Sequence, residues 1–277
     1  MAATNDDRAS REAACIGGGE RVDVTGHGPP LLCLPGFGSA NWIFERWIPT
    51  LERRFTLVMP DNRGMGRSPP AVAPYGIGDL ARDALEVMTR LGFERFGLVG
   101  LSMGGFIAQR LVLDAPQRVT AMALLGTTSG GPEFARHFPV MGEEQLRGIY
   151  QMKAAARARA ALDPALVPYL HSHYPEVFDY LLERRAGRDE ALDQILLQYR
   201  AVTEFLQHPL PLERIACPTL VLAGEQDLLV PLENGRLLAA RIPGARLTVL
   251  PVTDHLFFLE DLAGVTGALT DFFFDTP

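Results

Sequence analysis

What this 277-residue chain has little of narrows its class before any motif is read. Lysine is nearly missing: of 26 basic residues only Lys153 is not arginine. Against 33 acidic residues the net charge is −7, which excludes a general nucleic-acid binder, because neutralising phosphates takes a basic face. Cysteine is scarce, and Cys15, Cys33 and Cys217 are scattered. Neither a disulfide framework nor a C-x-x-C metal spacing follows from three such residues. Cys33 and Cys217 sit in apolar runs and read as small buried hydrophobes. No apolar run approaches the roughly 18 residues that span a bilayer, and residues 1–11 lack the apolar stretch of a signal peptide. A cytoplasmic protein with reduced thiols is the expectation. The rest of the composition is ordinary for a globular chain, 47% hydrophobic and 21% charged.

Short apolar runs alternate with helical periodicity. Residues 31–34, 55–59, 96–99, 119–125, 219–223 and 245–250 read as buried strands. Between them lie a short helix at 41–51, helices at 103–113 and around 233–241, and a last helix after His255. Ile77, Leu80, Ala81, Ala84, Leu85, Met88 and Leu91 recur at three- and four-residue steps, one face of an amphipathic helix. Near-continuous apolar strands separated by helices predict an α/β fold with a mostly parallel sheet covered on both faces. From about 130 to 211 no buried strand interrupts helical segments broken by Pro132, Pro139, Pro164, Pro168 and Pro175. The division expected is a flexible tail at 1–20, a core of 21–129 and 212–277, and a helical lid at 130–211.

The chemistry concentrates in Gly100-Leu101-Ser102-Met103-Gly104, placed where a strand ends and a helix begins. G-x-S-x-G in that setting forces a sharp turn with a strained serine. The new helix aims its N-terminal dipole and free N–H groups at that hydroxyl. A serine hydroxyl needs a base, and the base an orienting acid. Of six histidines, His27 falls in a Gly-Pro turn, and His137, His171, His173 and His208 fall in the lid. His255 follows the 245–250 strand by a short loop, at the strand carboxyl ends where such folds place their sites. Asp227, in Gly224-Glu225-Gln226-Asp227 after another strand, supplies the acid, with Glu225 as the alternative. Asp254 adjoins His255 in sequence, and adjacency rarely lets a side chain reach the next imidazole.

With these residues the chain resembles α/β-hydrolase-fold enzymes from about residue 20 to 274, on the serine-nucleophile, esterase- or lactonase-like branch with a helical cap. The resemblance implies a triad of Ser102, Asp227 and His255. Leu34-Pro35-Gly36-Phe37-Gly38 looks like the family's oxyanion loop, implying that the backbone N–H groups of Phe37 and Met103 bind the oxyanion. Asp61-Asn62-Arg63-Gly64-Met65-Gly66-Arg67-Ser68 looks like the family's D-x-R-G-x-G-x-S turn, and Asp61 and Arg63 are read as tying loops together. After the 119–125 strand, Gly126-Thr127-Thr128 offers no carboxylate where many members keep an alternative acid, which favours Asp227. Two departures stand out. Leu34-Pro35 replaces His-Gly, and Asp254 replaces the glycine that often precedes the histidine, where it either raises the imidazole pKa or faces solvent.

A serine nucleophile argues against the dehalogenase and epoxide-hydrolase branches, which carry aspartate there. The expected reaction is two-step acyl transfer on a small, largely apolar ester, lactone or thioester, with no cofactor and no metal. The pair His171 and His173 lacks the further ligands a metal needs. Phe37, Phe134, Phe138 and Met141 are the candidate substrate contacts. The same triad also serves C–C bond hydrolases of meta-cleavage products and cofactor-free perhydrolases or acyltransferases. A non-catalytic receptor on this fold is the reading from a different class.

Overall fold

Residues 12–16, 20–135, 141–162, 167–187 and 190–275 are described by the computed structural model. Eight strands form one sheet: Glu12–Ile16 (β1), Glu20–Gly26 (β2), Pro30–Leu34 (β3), Thr56–Pro60 (β4), Phe96–Leu101 (β5), Val119–Leu125 (β6), Thr219–Gly224 (β7) and Arg246–Leu250 (β8). Their order is β1-β2-β4-β3-β5-β6-β7-β8. β2 runs antiparallel to both β1 and β4, and every other pairing is parallel. The helices are Ile48–Leu51 (α1), Ile77–Arg90 (α2), Met103–Asp114 (α3), Glu143–Tyr150 (α4), Ala154–Ala160 (α5), Val167–His173 (α6), Pro175–Ala186 (α7), Leu192–Gln207 (α8), Leu232–Arg241 (α9), Phe257–Glu260 (α10) and Leu262–Asp275 (α11).

Strand periodicity divides the core. Along β3, Leu31 and Cys33 face one side of the sheet, and Leu32 and Leu34 face the other. The first side packs on α1, α10 and α11 through Leu51, Phe257 and Leu269. The second packs on α2 and α3 through Leu80, Met88, Ile107 and Leu111. Burial on both faces is why these strands read as unbroken apolar runs. It also pushes the Cys33 thiol up to about 12, so no reactive thiolate forms there.

Three expectations need correction. The span 1–20 is not all tail, because β1 lies inside it and pairs with β2 from Glu12↔Val24 to Ile16↔Glu20. Its five residues are too short and alanine-rich to announce a strand; the partner strand supplies the order. The helix expected at 41–51 is split into a 3-10 turn, Asn41–Phe44, and α1. Pro49 restarts the helix in its first turn, where a missing N–H costs nothing. Leu85 and Leu91 also fall outside the fully buried face of α2, which instead uses Val87.

Between β6 and β7 the described residues hold no strand, only α4 to α8 and a 3-10 turn at Leu212–Arg214. Two glutamines fasten α8 to the rest of the molecule. Gln194 accepts from Ala71 N (2.7 Å) and donates to Ala71 O (3.2 Å), and Gln198 accepts from Gly38 N (2.7 Å). Below them, the turn after β4 ties loops as its motif implied. Buried Asp61 accepts from the backbone N–H of Asn41 (2.8 Å) and of Arg67 (3.0 Å). Arg63 forms a two-point pair with Asp83 on α2. Asp61→Ala strands the buried Asn41 N–H and removes the partner of the Arg67 N–H, so we expect stability in urea unfolding to fall by roughly 1–3 kcal/mol, with the slope against urea unchanged.

Candidate active site

The five loops that matter leave the sheet at one edge, because parallel strands all present their carboxyl ends together. β5 ends at Leu101, and the chain must reverse into α3 within a single residue. Ser102 takes that residue at φ 51°, ψ −116°, a conformation worth about 1–3 kcal/mol of strain for a residue with a side chain. Ser102 N donates to Leu125 O (2.8 Å), while Ser102 O accepts from Gly105 N (2.8 Å) and Thr127 Oγ1 (2.7 Å). The flanking glycines are required by close approach. A Cβ on Gly100 would lie 2.6 Å from Gly105 Cα, and one on Gly104 would run into the Leu34 carbonyl.

The structure brings together the two residues expected to serve as acid and base. Asp227 Oδ2 and His255 Nδ1 are 2.8 Å apart, with the Asp227 side chain fully buried and that of His255 nearly so. The other carboxylate oxygen, Oδ1, accepts from Leu229 N (2.9 Å) and Val230 N (2.7 Å). A carboxylate with those three partners is fixed in place and calls for the imidazole proton on Nδ1, leaving Nε2 with its lone pair. Gly126, at φ 52°, lets the chain after β6 pass beneath the ring: a Cβ there would stand 3.3 Å from His255 Nδ1 and Cε1.

Ser102 and His255 open into one cavity of about 280 Å³. Phe37 and Met103 line it too, and neither backbone N–H donates a hydrogen bond among the described residues. The N–H of Gly38 is already taken by Gln198, and that of Ser39 by Gly36 O. Phe37 therefore offers the free donor of its loop, and Met103 offers the first of its helix. Gly36 permits the approach, since a Cβ on it would come 3.3 Å from Ser102 Cβ.

The remaining wall is largely apolar, built by Ile43, Phe106, Leu146, Leu181, Ile195, Val202 and Leu229 among others. Of the substrate contacts expected from sequence, Phe37, Phe134 and Met141 line the cavity, and Phe138 lies outside the described residues. Sequence reading missed Arg185, which joins Tyr150 and Tyr199 among the polar groups on the helical side of the cavity. Burial above all pushes the Tyr150 hydroxyl up to about 12, so it stays protonated. Arg185 donates from Nη1 to Ala161 O (3.2 Å). Neither sits in a motif, and only helix packing brings them to the cavity. Among the described residues, no three His, Cys, Asp or Glu side chains gather as a metal site would require. No helix among them is long and apolar enough to cross a membrane.

A model of the alpha/beta hydrolase fold matches residues 29–262. The chain belongs to that family. The α/β-hydrolase is 30% identical over 259 residues to a Klebsiella pneumoniae protein that carries the provisional name carbamate hydrolase RutD, covering 88% of this chain and 91% of that one. It is 28% identical over 242 residues to a 2-hydroxy-6-oxononadienedioate/2-hydroxy-6-oxononatrienedioate hydrolase of a Pseudomonas species, covering 86% and 83%. Among solved structures, Est816, described as an N-acyl homoserine lactone degrading enzyme, superposes with a TM-score of 0.76 at 27% identity, over 93% of this chain and 99% of that one. Of the family departures, Asp254 is the informative one. It does not face solvent, being only 3% exposed.

The glycine beneath the imidazole gives a direct check on this geometry. Gly126→Ala adds a Cβ at positive φ against the ring, so we expect a loss of about 1–2 kcal/mol in stability, read as a melting temperature lowered by a few degrees in calorimetry.

Proposed function

We propose that this α/β-hydrolase cleaves a carboxylic ester, lactone or thioester of a small, largely apolar substrate through an acyl-enzyme on Ser102. His255 Nε2 takes the Ser102 proton as Oγ attacks the carbonyl carbon. The N–H groups of Phe37 and Met103 hold the oxyanion, each such donor contributing about 3–4 kcal/mol to lowering the barrier. The tetrahedral intermediate collapses, and His255 returns the proton to the departing alcohol or thiol. Water then repeats the sequence: it gives its proton to His255, its oxygen bonds the acyl carbon, and Ser102 leaves with the proton. Asp227 keeps the imidazole in its tautomer and stabilises the imidazolium throughout. Helices α4 to α8, with the segments around them from 130 to 211, act as the cap that sets what fits.

The observation that carries this reading is the Asp227–His255 pair, buried at 2.8 Å, with His255 and a strained serine lining the same largely apolar cavity. An aqueous or strongly charged site would not suit such a wall, which favours an uncharged acyl group. Among the relatives, the structure described as degrading an acyl homoserine lactone supports an ester-type bond. The Pseudomonas relative supports a second reading, hydrolysis of a C–C bond in a vinylogous diketone by the same residues.

A panel of p-nitrophenyl esters of rising chain length, lactones, thioesters and a meta-cleavage product separates the two. We expect turnover of the ester-type set, labelling of Ser102 by a fluorophosphonate probe seen in the intact mass, and loss of both in Ser102→Ala. Asp227→Asn should lower kcat by roughly 10⁴-fold by favouring the wrong tautomer. Turnover confined to the meta-cleavage product would replace the ester reading, and full turnover by Ser102→Ala would end both.

A further inference from the structure

The loop that carries His255 is held in a conformation its own sequence does not favour. Val252 sits at φ 56°, and besides Ser102 it is the other described non-glycine residue with positive φ. A β-branched residue there is a genuine outlier, and it persists only where surrounding contacts over-determine it. Several do. Val252 N donates to Glu225 Oε2 (3.2 Å), Gln226 N to Thr253 O (2.8 Å), and Thr253 Oγ1 to Leu250 O (3.0 Å). Asp254 N donates to Glu260 Oε2 (3.0 Å), and Leu256 N to Asp254 Oδ1 (2.7 Å).

Those last two bonds use one oxygen of each carboxyl group. The remaining oxygens, Asp254 Oδ2 and Glu260 Oε1, are both buried with no hydrogen-bond partner. The bond from Asp254 N to Glu260 Oε2 brings the Glu260 carboxyl group back to the residue that carries the other one. The charged or titratable groups around them are of one sign or neutral. Asp227 lies on the loop after β7, and Asp261 follows α10. Tyr174 precedes α7, with Glu176 in that helix's first turn, and Glu225 stands behind Val252. His255 is occupied with Asp227. Two buried carboxylates with no cation between them repel and are poorly solvated. A single proton removes both problems, because it gives each orphaned oxygen its partner.

Resting on the acyl-transfer reading above, we propose that Asp254 and Glu260 share one proton, and that this hydrogen bond is a positioning device that holds the strained loop so that His255 meets both Asp227 and Ser102. The bond runs from Glu260 Oε1–H to Asp254 Oδ2, across six residues, and closes the loop against the first turn of α10. Burial first, then the hydrogen bond and the charge of Asp254, hold the Glu260 carboxyl up at about 9. The glycine more usual before the histidine has no side chain to make such a bond.

The sign of the linkage follows. A glutamic acid whose folded pKa is raised binds more protons folded than unfolded. Its contribution is complete below the unfolded value, erodes as pH rises, and is gone above about 9. Glu260→Gln supplies the same two contacts without a proton to lose: its carbonyl accepts from Asp254 N and its amide donates to Asp254 Oδ2. Asp254→Asn does the reverse, donating to Glu260 Oε1 while keeping the bond from Leu256 N.

The experiment measures melting temperature and, on a p-nitrophenyl ester, kcat and KM from about pH 5 to about pH 10 for wild type, Glu260→Gln, Asp254→Asn and Glu260→Ala. We expect the melting temperature of Glu260→Gln to gain on wild type as pH rises, with the gap levelling above about pH 9. Wild-type kcat should fall severalfold on the alkaline side with KM steady, whereas Glu260→Gln and Asp254→Asn should not fall. Glu260→Ala should lose about tenfold in kcat at neutral pH. A melting gap independent of pH overturns the shared proton. Equal loss of kcat in Glu260→Gln and Glu260→Ala overturns the positioning role. The melting arm needs no turnover, so it reads the carboxyl pair even if Ser102→Ala shows the acyl-transfer reading to be wrong.

Discussion

A serine held at φ 51°, ψ −116° is the constraint around which the rest of the molecule is arranged. Such a residue relaxes unless its neighbours fix it, and the fixing here comes from the middle of the sheet. β5 lies between β3 and β6, so the elbow is bonded on one side by Leu125 and Thr127 and pressed on the other by the Leu34 carbonyl. Packing that tight leaves glycine as the residue for positions 100 and 104. The strain of about 1–3 kcal/mol is offset by a core of large, fully buried side chains on both faces of the sheet.

From that fixed point the other parts follow geometrically. Parallel strands deliver the Phe37 loop, the elbow, the Asp227 loop and the His255 loop to one edge. The helices between β6 and β7 cover that edge and make the cavity apolar, which strengthens each charge-based contact within it. Gln198 joins the two layers, because the same side chain that anchors α8 also consumes the Gly38 N–H and leaves that of Phe37 free. The position of α8 and the conformation of the Phe37 loop are thereby linked through one hydrogen bond. Two turns, at Ser102 and Val252, carry non-glycine residues at positive φ, and each is held by contacts from neighbouring strands or loops.

The parts legible in the sequence are those written locally. Buried strands announce themselves as apolar runs, α2 by its periodicity, and the elbow by five consecutive residues, so β3 to β8 and Ser102 fall within a residue or two of expectation. Asp227 and His255, which the fold brings together, are legible as candidates because each lies just past a strand, and chain order does the rest. What escaped depends on distant partners. β1 is ordered by its ladder to β2 and not by its own side chains. Gln198 meets Gly38 across 160 residues, and nothing near either predicts it. Asp254 reads as an acid that either raises the imidazole pKa or faces solvent until the turn of α10 brings Glu260 back to it; the spacing of six residues between two carboxylates is the signal to weigh. Arg185 reaches the cavity only because α7 packs as it does.

The central claim is that Ser102, the two N–H groups and the Asp227–His255 pair form a preorganised site for a tetrahedral oxyanion. A crystal structure of the fluorophosphonate adduct tests it most directly. The account predicts phosphorus bonded to Ser102 Oγ, and the phosphonyl oxygen about 2.7–3.1 Å from the N–H groups of both Phe37 and Met103. His255 should stay hydrogen-bonded to Asp227, with the cap helices in place. A phosphonyl oxygen turned into the cavity and bonded to neither N–H, or an adduct on a residue other than Ser102, would contradict it.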